Sequence, residues 1–404
     1  MYKRLIFVCL LFCSWAASSQ TLEEVCELTS AQVSCGTVIH FLTQTAEFES
    51  KIDQYKACTN AKFDLYKAEK NCDFNNYLEQ ANKNFDAYKK TLNKIWDKPT
   101  FSTNKSWVSY SPTLEIKREV DFEKNIIRVT TIKGDKHTEE ELKEKIISVS
   151  SLSIGKAQKE DPYSSQVIDI IKPASLSNES FLPLAEAKNE RETEQKVLLK
   201  STKTTRTVDI KGNKVITVEA KFPSSWIKRK EQRFVEPVQK QAKRYKLDPA
   251  LILAVIKTES NFIPTAISHI PAFGLMQVVP TSTGFEVTEF LDGKQRKLSK
   301  EYLFVPEKNI EAGSTYLHLL QSRYFKGIRD VDSLKFCMIA AYNGGMGPIY
   351  KIFGNGSRKR AIENINSLSS DQVFNKILTH HNAEETRNYL RRVTAADILY
   401  SQTI

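Results

Sequence analysis

The stretch DPALILAVIKTESNFIPTAISHIPAFGLMQ, from Asp248 to Gln277, decides how this chain is read. Asp248 followed by Pro249 marks a helix start. The carboxylate can accept from the first free backbone N–H groups, and proline fits the first helical position, where no donor is needed. Leu251, Ile252, Ala254, Val255 and Ile256 follow without a polar break, so the helix is buried on most sides. The run ends in Glu259, a carboxylate in the last turn. Two readings stay open on this helix alone. Either the carboxylate reaches solvent at the helix end, or burial favours its protonated form and makes it a proton donor near neutral pH.

On both sides of this stretch helical signals recur, with Gly-rich breaks: Phe234 to Tyr245 before it, and Asn309 to Arg323, Leu334 to Tyr342 and Glu384 to Tyr400 after it. Upstream the pattern changes. Leu114, Ile116, Val120 and Phe122, a polar turn at Glu123-Lys124-Asn125, then Ile127, Val129 and Thr131 read as a hairpin with one buried face. A second hairpin runs from Val208 and Ile210 through Gly212-Asn213 to Ile216, Val218, Ala220 and Phe222. Thr138 to Glu141 opens a short helix as a capping box, and Ser150 to Arg191 is loop-rich. Further upstream, Phe74, Tyr77, Leu78, Ala81, Phe85, Tyr88, Leu92, Ile95 and Trp96 form one helical face, expected to pack on a helical hairpin partner. The expected fold is α+β, with a mostly helical C-terminal domain over 224–404. A small α+β domain over 100–223 and a helical, cysteine-bearing region over 20–99 precede it.

Lys3 and Arg4, the apolar run Leu5 to Trp15 and the small residues Ala16 to Ser19 read as a signal peptide over 1–19, with a retained anchor as the alternative. Export makes sense of Cys26, Cys35, Cys58 and Cys72, which read as two disulfides in an oxidising compartment. Three connectivities exist, and the nested pairing Cys26–Cys72 with Cys35–Cys58 would staple a helical hairpin. Cys337, within Phe336 to Ala340, reads as a buried small hydrophobe. The excess of 59 Lys+Arg over 48 Asp+Glu favours polyanionic company, but no stretch of aromatics and Arg of a nucleic-acid-binding kind appears. Neither a cofactor nor a metal is called for; His380 and His381, adjacent on a helix, point apart and read as surface residues.

Glu259-Ser260, Ser268, Gly274-Leu275-Met276-Gln277, Ala341-Tyr342-Asn343-Gly344-Gly345 and Glu385-Thr386-Arg387-Asn388-Tyr389 occur in that order. Together they resemble the catalytic domain of the goose-lysozyme-like, SLT-type lytic transglycosylases of peptidoglycan, and most of all the membrane-bound lytic murein transglycosylase C subfamily. The resemblance implies a lysozyme-like fold and a periplasmic lyase acting on glycan strands, peripherally associated with the outer membrane. It also implies one carboxyl, Glu259, that first protonates the leaving oxygen and then takes the C6 proton of muramic acid, giving a 1,6-anhydro sugar. It assigns Tyr342 and Tyr389 to flank and hold that carboxyl, Ser268 and Gln277 to bind the sugar, Met276 to line a subsite, and Asn343 to orient loop and substrate. The chain departs from the family at Ile263, Pro271 and the lipobox, since Phe12 and Val8 stand before Cys13 and Cys9. A hydrolytic muramidase and a non-catalytic murein-binding scaffold are the competing readings. Glu385, a possible second carboxylate, lies two residues before Arg387 and is expected to be ion-paired with it.

Overall fold

A computed structural model of the chain describes residue 79 and residues 83–162, 177–268 and 272–403. The signal segment, the four clustered cysteines and the expected hairpin partner lie outside the described residues. Lys83–Ile404 forms one compact unit.

Its first helix, α1 (83–95), carries the end of the apolar face read from the sequence. Leu92 and, just beyond the helix, Trp96 are buried against Val108, Tyr110 and Ile132. The Trp96 indole donates to the Leu114 carbonyl at 2.7 Å. The described end of the face therefore lies on a sheet.

That sheet holds β1 (Ser106–Tyr110), β2 (Ile116–Asp121), β3 (Ile126–Thr131), β4 (Lys203–Val208) and β5 (Lys214–Lys221). The order is β1-β2-β3-β5-β4, all antiparallel. Both expected hairpins are present. Asn125 takes φ 55° in the first turn and Gly212 takes φ 77° in the second, while the Asp209 carboxylate accepts from the N–H groups of Lys211 and Asn213. Strand β1 was not anticipated, because Trp107, Val108, Ser109 and Tyr110 are all buried and show no alternation.

Helix α2 (Glu139–Ser150) has the Thr138 capping box and turns Leu142, Ile146 and Val149 inward. Among the described residues, the loop-rich stretch after it holds α3 (Ile154–Glu160) and the start of α4 (Lys188–Lys200). Helix α5 (Ser224–Gln232) begins directly after Pro223. Its Trp226 is fully buried beside Phe222, with ring centroids 5.4 Å apart, and its indole donates to Glu194 at 2.8 Å. Glu194 also accepts from Ser225 at 2.6 Å and from Arg229 at 2.5 Å. Burial opposes its charge, but Arg229, Ser225 and Trp226 together hold its pKa at about 2.

The remaining chain is helical: α6 (Val235–Tyr245), α7 (Pro249–Ser260), α8 (Thr283–Asp292), α9 (Lys300–Leu303), α10 (Pro306–Leu319), α11 (Val331–Gly344), α12 (Met346–Gly354), α13 (Arg358–Ile365), α14 (Ser370–His380) and α15 (Glu384–Ser401). A π-helical turn, Leu320–Tyr324, extends α10. Helix α7 starts as read: the Asp248 carboxylate accepts from the Ala250 N–H at 2.9 Å and Pro249 occupies the first turn. Every residue from Ala250 to Ile256 is buried, each large side chain contributing about 1.5–3 kcal/mol. α7 lies along α15, and Lys335 of α11 bridges them through Asp248 at 3.0 Å and Asp397 at 2.8 Å. No helix among the described residues is long and apolar enough to cross a membrane.

Beyond the Glu194 cluster, the polar contacts that join the sheet lobe to the helical lobe include these three. Asn104 Nδ2 donates to the Glu259 carbonyl at 3.0 Å, Asn261 Nδ2 to the Phe122 carbonyl at 2.7 Å, and the buried Lys230 ammonium to the same carbonyl at 3.0 Å. A fragment beginning at Ser225 would lose all three together with the cover over Trp226. It should melt well below the full chain. Equal melting temperatures for fragment and full chain would contradict this.

Candidate active site

The last turn of α7 has carbonyls with no helical partner, and each needs a donor from elsewhere. Ser260 Oγ lies 3.1 Å from the Ile256 carbonyl and 2.7 Å from that of Leu275, so one hydroxyl ties the helix end to the following loop. The Asn261 N–H donates to Lys257, and Asn104 takes Glu259. Asn261 and Phe262 then reverse the chain with φ of 49° and 65°. Phe262, wholly buried, stacks on Phe234 at 6.1 Å.

Glu259 is half-buried by accessible surface. Its carboxyl is nonetheless surrounded by protein on most sides. Burial raises its pKa from 4.5 to about 7, against the lowering contributions of the Tyr389 hydroxyl and Arg392; Glu385 adds a smaller upward push. Partial accessibility and a raised pKa together suit a proton donor that a bound molecule can reach. Tyr389, only 2% exposed, points its hydroxyl toward this carboxyl, and no partner of the hydroxyl has regular hydrogen-bond geometry. Long catalytic hydrogen bonds of this kind tighten when a ligand closes the site. Burial, then the Glu259 charge, raises the pKa values of both Tyr389 and Tyr342. Tyr342 donates to the Met276 carbonyl at 2.8 Å.

The Gly274–Gln277 turn is built around a residue that the sequence reading missed. Asn309, fully buried near the start of α10, donates to the Phe273 and Leu303 carbonyls at 2.8 and 2.7 Å and accepts from the Met276 N–H at 2.7 Å. The only signal for it was a lone polar residue opening an otherwise buried helix face. Gly274 takes φ 77°, and a Cβ there would come within 2.2 Å of Asn309 Nδ2, so no other residue fits. Met276 is fully buried, packed where a Cβ on Gly313 would fall 2.4 Å from its sulfur. Its side chain thus packs in the core behind the turn.

The other expected ligands are placed as follows. Gln277 Nε2 donates to the Ala266 and Gly274 carbonyls at 3.0 and 2.9 Å, which clips the turn and leaves Oε1 buried without a partner. Ser268 is half-buried, and its hydroxyl accepts from the Ala272 N–H at 3.2 Å. Asn343 accepts from Thr386 at 2.7 Å, joining the end of α11 to α15. Glu385 is exposed and makes no ion pair among the described residues. Arg387 donates to the His381 carbonyl, because that carbonyl ends α14 within its reach. His380 is exposed as expected, but His381 is 2% exposed. It packs against Gly344, where a Cβ would lie 3.1 Å from Nε2, and burial lowers its pKa. Cys337 is buried, and burial pushes its thiol up.

Residues 236–365 match the family model Transglycosylase SLT domain, and residues 71–180 match Membrane-bound lytic murein transglycosylase C, N-terminal domain. A membrane-bound lytic murein transglycosylase C of Sodalis glossinidius (strain morsitans) is 33% identical over 295 residues, 71% of this chain and 80% of that protein. The Histophilus somni (strain 2336) protein of the same name is 42% identical over 189 residues, 47% of this chain and 52% of its own. The matched region thus spans about half the length of that relative. Among solved structures, the 70 kDa soluble lytic transglycosylase of Escherichia coli aligns with a TM-score of 0.32 and 23% identity, covering 43% of this chain and 26% of that one.

Two outcomes follow from the site geometry. Asn309→Leu leaves the Leu303 carbonyl and the Met276 N–H without their side-chain partner and the Phe273 carbonyl with only the Val278 N–H, which should cost about 2 kcal/mol or more and lower the melting temperature accordingly. Glu259 binds its proton more tightly folded than unfolded. Its ionisation between about pH 4.5 and pH 7 therefore works against the fold, fully so above pH 7. Glu259→Gln removes that penalty, so the variant's melting temperature should gain on the wild type as pH rises from about 5 to about 8. A pH-independent difference would show that the carboxyl titrates normally.

Proposed function

The chain belongs to the membrane-bound lytic murein transglycosylase C family, and from that premise we propose that it is a lyase that cuts the MurNAc–GlcNAc bond of peptidoglycan. No water is consumed, and the strands end in 1,6-anhydromuramic acid. Glu259 serves first as acid and then as base. The observation that carries this reading is the carboxyl itself, half-accessible, with a pKa of about 7 set by burial and two tyrosines against it. A group poised there donates a proton to the leaving oxygen and, once ionised, accepts one from the C6 hydroxyl that attacks C1. Tyr389 holds the ionised form between the two steps. Asn343 and Gln277 keep the surrounding turns in place, and the half-buried Ser268 meets the sugar. The chain works in the periplasm after removal of residues 1–19, peripherally at the outer membrane.

One observation favours a second reading. Glu385 acts electrostatically on Glu259 and is not neutralised by an ion pair, so it could serve as the base that activates water in a hydrolytic muramidase. Mass spectrometry of purified sacculi after digestion separates the two. Anhydromuramyl ends, one water lighter than hydrolysed ends, support the lyase; hydrolysed ends that vanish in Glu385→Gln support the muramidase.

Glu259→Gln should lower turnover by about 10²–10⁴-fold while murein still binds, and Tyr389→Phe should be milder. Because the acid must start protonated, kcat/KM should fall as pH rises through about 7. Near-wild-type product release by Glu259→Gln would place the proton on another residue.

A further inference from the structure

The cavity between the two lobes has no part in the reaction above. It measures about 350 Å³ and lies beside the last turn of α7, lined by Lys105 and Asn125 of the sheet lobe and by Lys230, Lys257, Asn261 and Arg392 of the helical lobe. Two carboxylates, Glu123 and Glu231, also line it. Each already has a cation: Lys105 lies 2.6 Å from Glu123, and Lys257 lies 3.0 Å from Glu231. Lys230 and Arg392 remain uncompensated. Lys230 is 3% exposed and donates only to neutral acceptors, the Phe122 carbonyl and Asn125 Oδ1 at 3.1 Å. An ammonium has three protons to place, and these contacts use two. Arg392, exposed on α15, makes no hydrogen bond or ion pair among the described residues.

We propose that this cavity binds a carboxylate-bearing peptide, with Arg392 and Lys230 as its cations. The proposal rests on the reading of murein as substrate, whose peptide stems supply such carboxylates next to the glycan. A guanidinium fork matches a carboxylate through two parallel hydrogen bonds, and the buried ammonium adds a third donor. Glu123 and Glu231 favour a peptide over phosphate, because peptide N–H groups can donate to them and a phosphate dianion brings no such donors. The volume suits one or two peptide residues and is too small for a sugar chain. Thr258 and Asn261, the near neighbours of Glu259 in sequence, form part of the wall. An occupied cavity would therefore register a peptide stem within one helical turn of the candidate acid, and would draw the two lobes together across α7.

The test uses the full chain carrying Glu259→Gln, titrated by calorimetry with acetyl-alanyl-glutamate, with its uncharged diamide and with inorganic phosphate. The proposal expects the dicarboxylate to bind at least about tenfold more tightly than the diamide, and more tightly than phosphate. Arg392→Gln in the same chain should weaken it about tenfold, and Lys105→Gln, which alters a charge that is already paired, by much less. Equal affinity for the diamide, preference for phosphate, or no effect of Arg392→Gln in a chain with an unchanged melting curve would each overturn it. So would the absence of any binding to the folded chain. The source of the carboxylate is read on the wild-type chain, where peptide-bearing strands should show a lower KM than strands stripped of peptide, and Arg392→Gln should abolish that difference. Equal KM values for the two kinds of strand would remove murein as the source. Since the titration reads binding to an inactive chain, its failure leaves the reaction assignment standing, and failure of the anhydro products leaves the binding result standing.

Discussion

The structure depends on how one apolar helix ends. α7 is buried from Ala250 to Ile256, so its final carbonyls emerge where little water can satisfy them, and an unpaired buried carbonyl costs about 1–3 kcal/mol. The N–H groups of Asn261 and Ile263 and the side-chain amide of Asn104 supply donors. The Ser260 hydroxyl, at the same helix end, holds the Leu275 carbonyl and so fixes the Gly274–Gln277 turn, while Asn104 fixes the sheet lobe. Satisfying a helix end is thus also what assembles the site around Glu259.

The same economy explains why polar residues near Glu259 face inward. Asn309 and the amide nitrogen of Gln277 are consumed by loop carbonyls, and Tyr342 by the Met276 carbonyl. A turn that must hold a left-handed Gly274 and a left-handed Gln277 cannot rely on regular backbone pairing. Side chains replace it. Rigidity in that turn is what keeps the groups facing a substrate in place before the substrate arrives.

Around Glu259 four influences compete. Burial favours the neutral acid, Arg392 and the Tyr389 hydroxyl favour the carboxylate, and Glu385 opposes them. Burial wins because Arg392 is exposed and its field is screened by water, whereas loss of hydration acts directly on the carboxyl. The balance is close enough that the group sits near neutrality. That position suits the acid-then-base role proposed for Glu259.

The sequence by itself determined whatever local pattern controls. Asp248-Pro249 as a helix start, the Thr138 capping box, both hairpin turns, α15 and the order Glu259, Tyr342, Tyr389 were legible because caps, turns and periodicity act over a few residues. Strand β1 was illegible because burial on both faces erases alternation. Helices α3 to α5, α8, α9 and α12 to α14 were missed; most of them are short, and their ends are set by neighbours. Only the tertiary structure decided the rest. It buried His381 against Gly344, sent Arg387 to a carbonyl and left Glu385 unpaired. It also put Asn309 behind the turn and Asn104 on the acid's own carbonyl. These are contacts between segments far apart in the chain, and a side chain's partner across such a distance is chosen by which buried backbone groups the fold leaves without one.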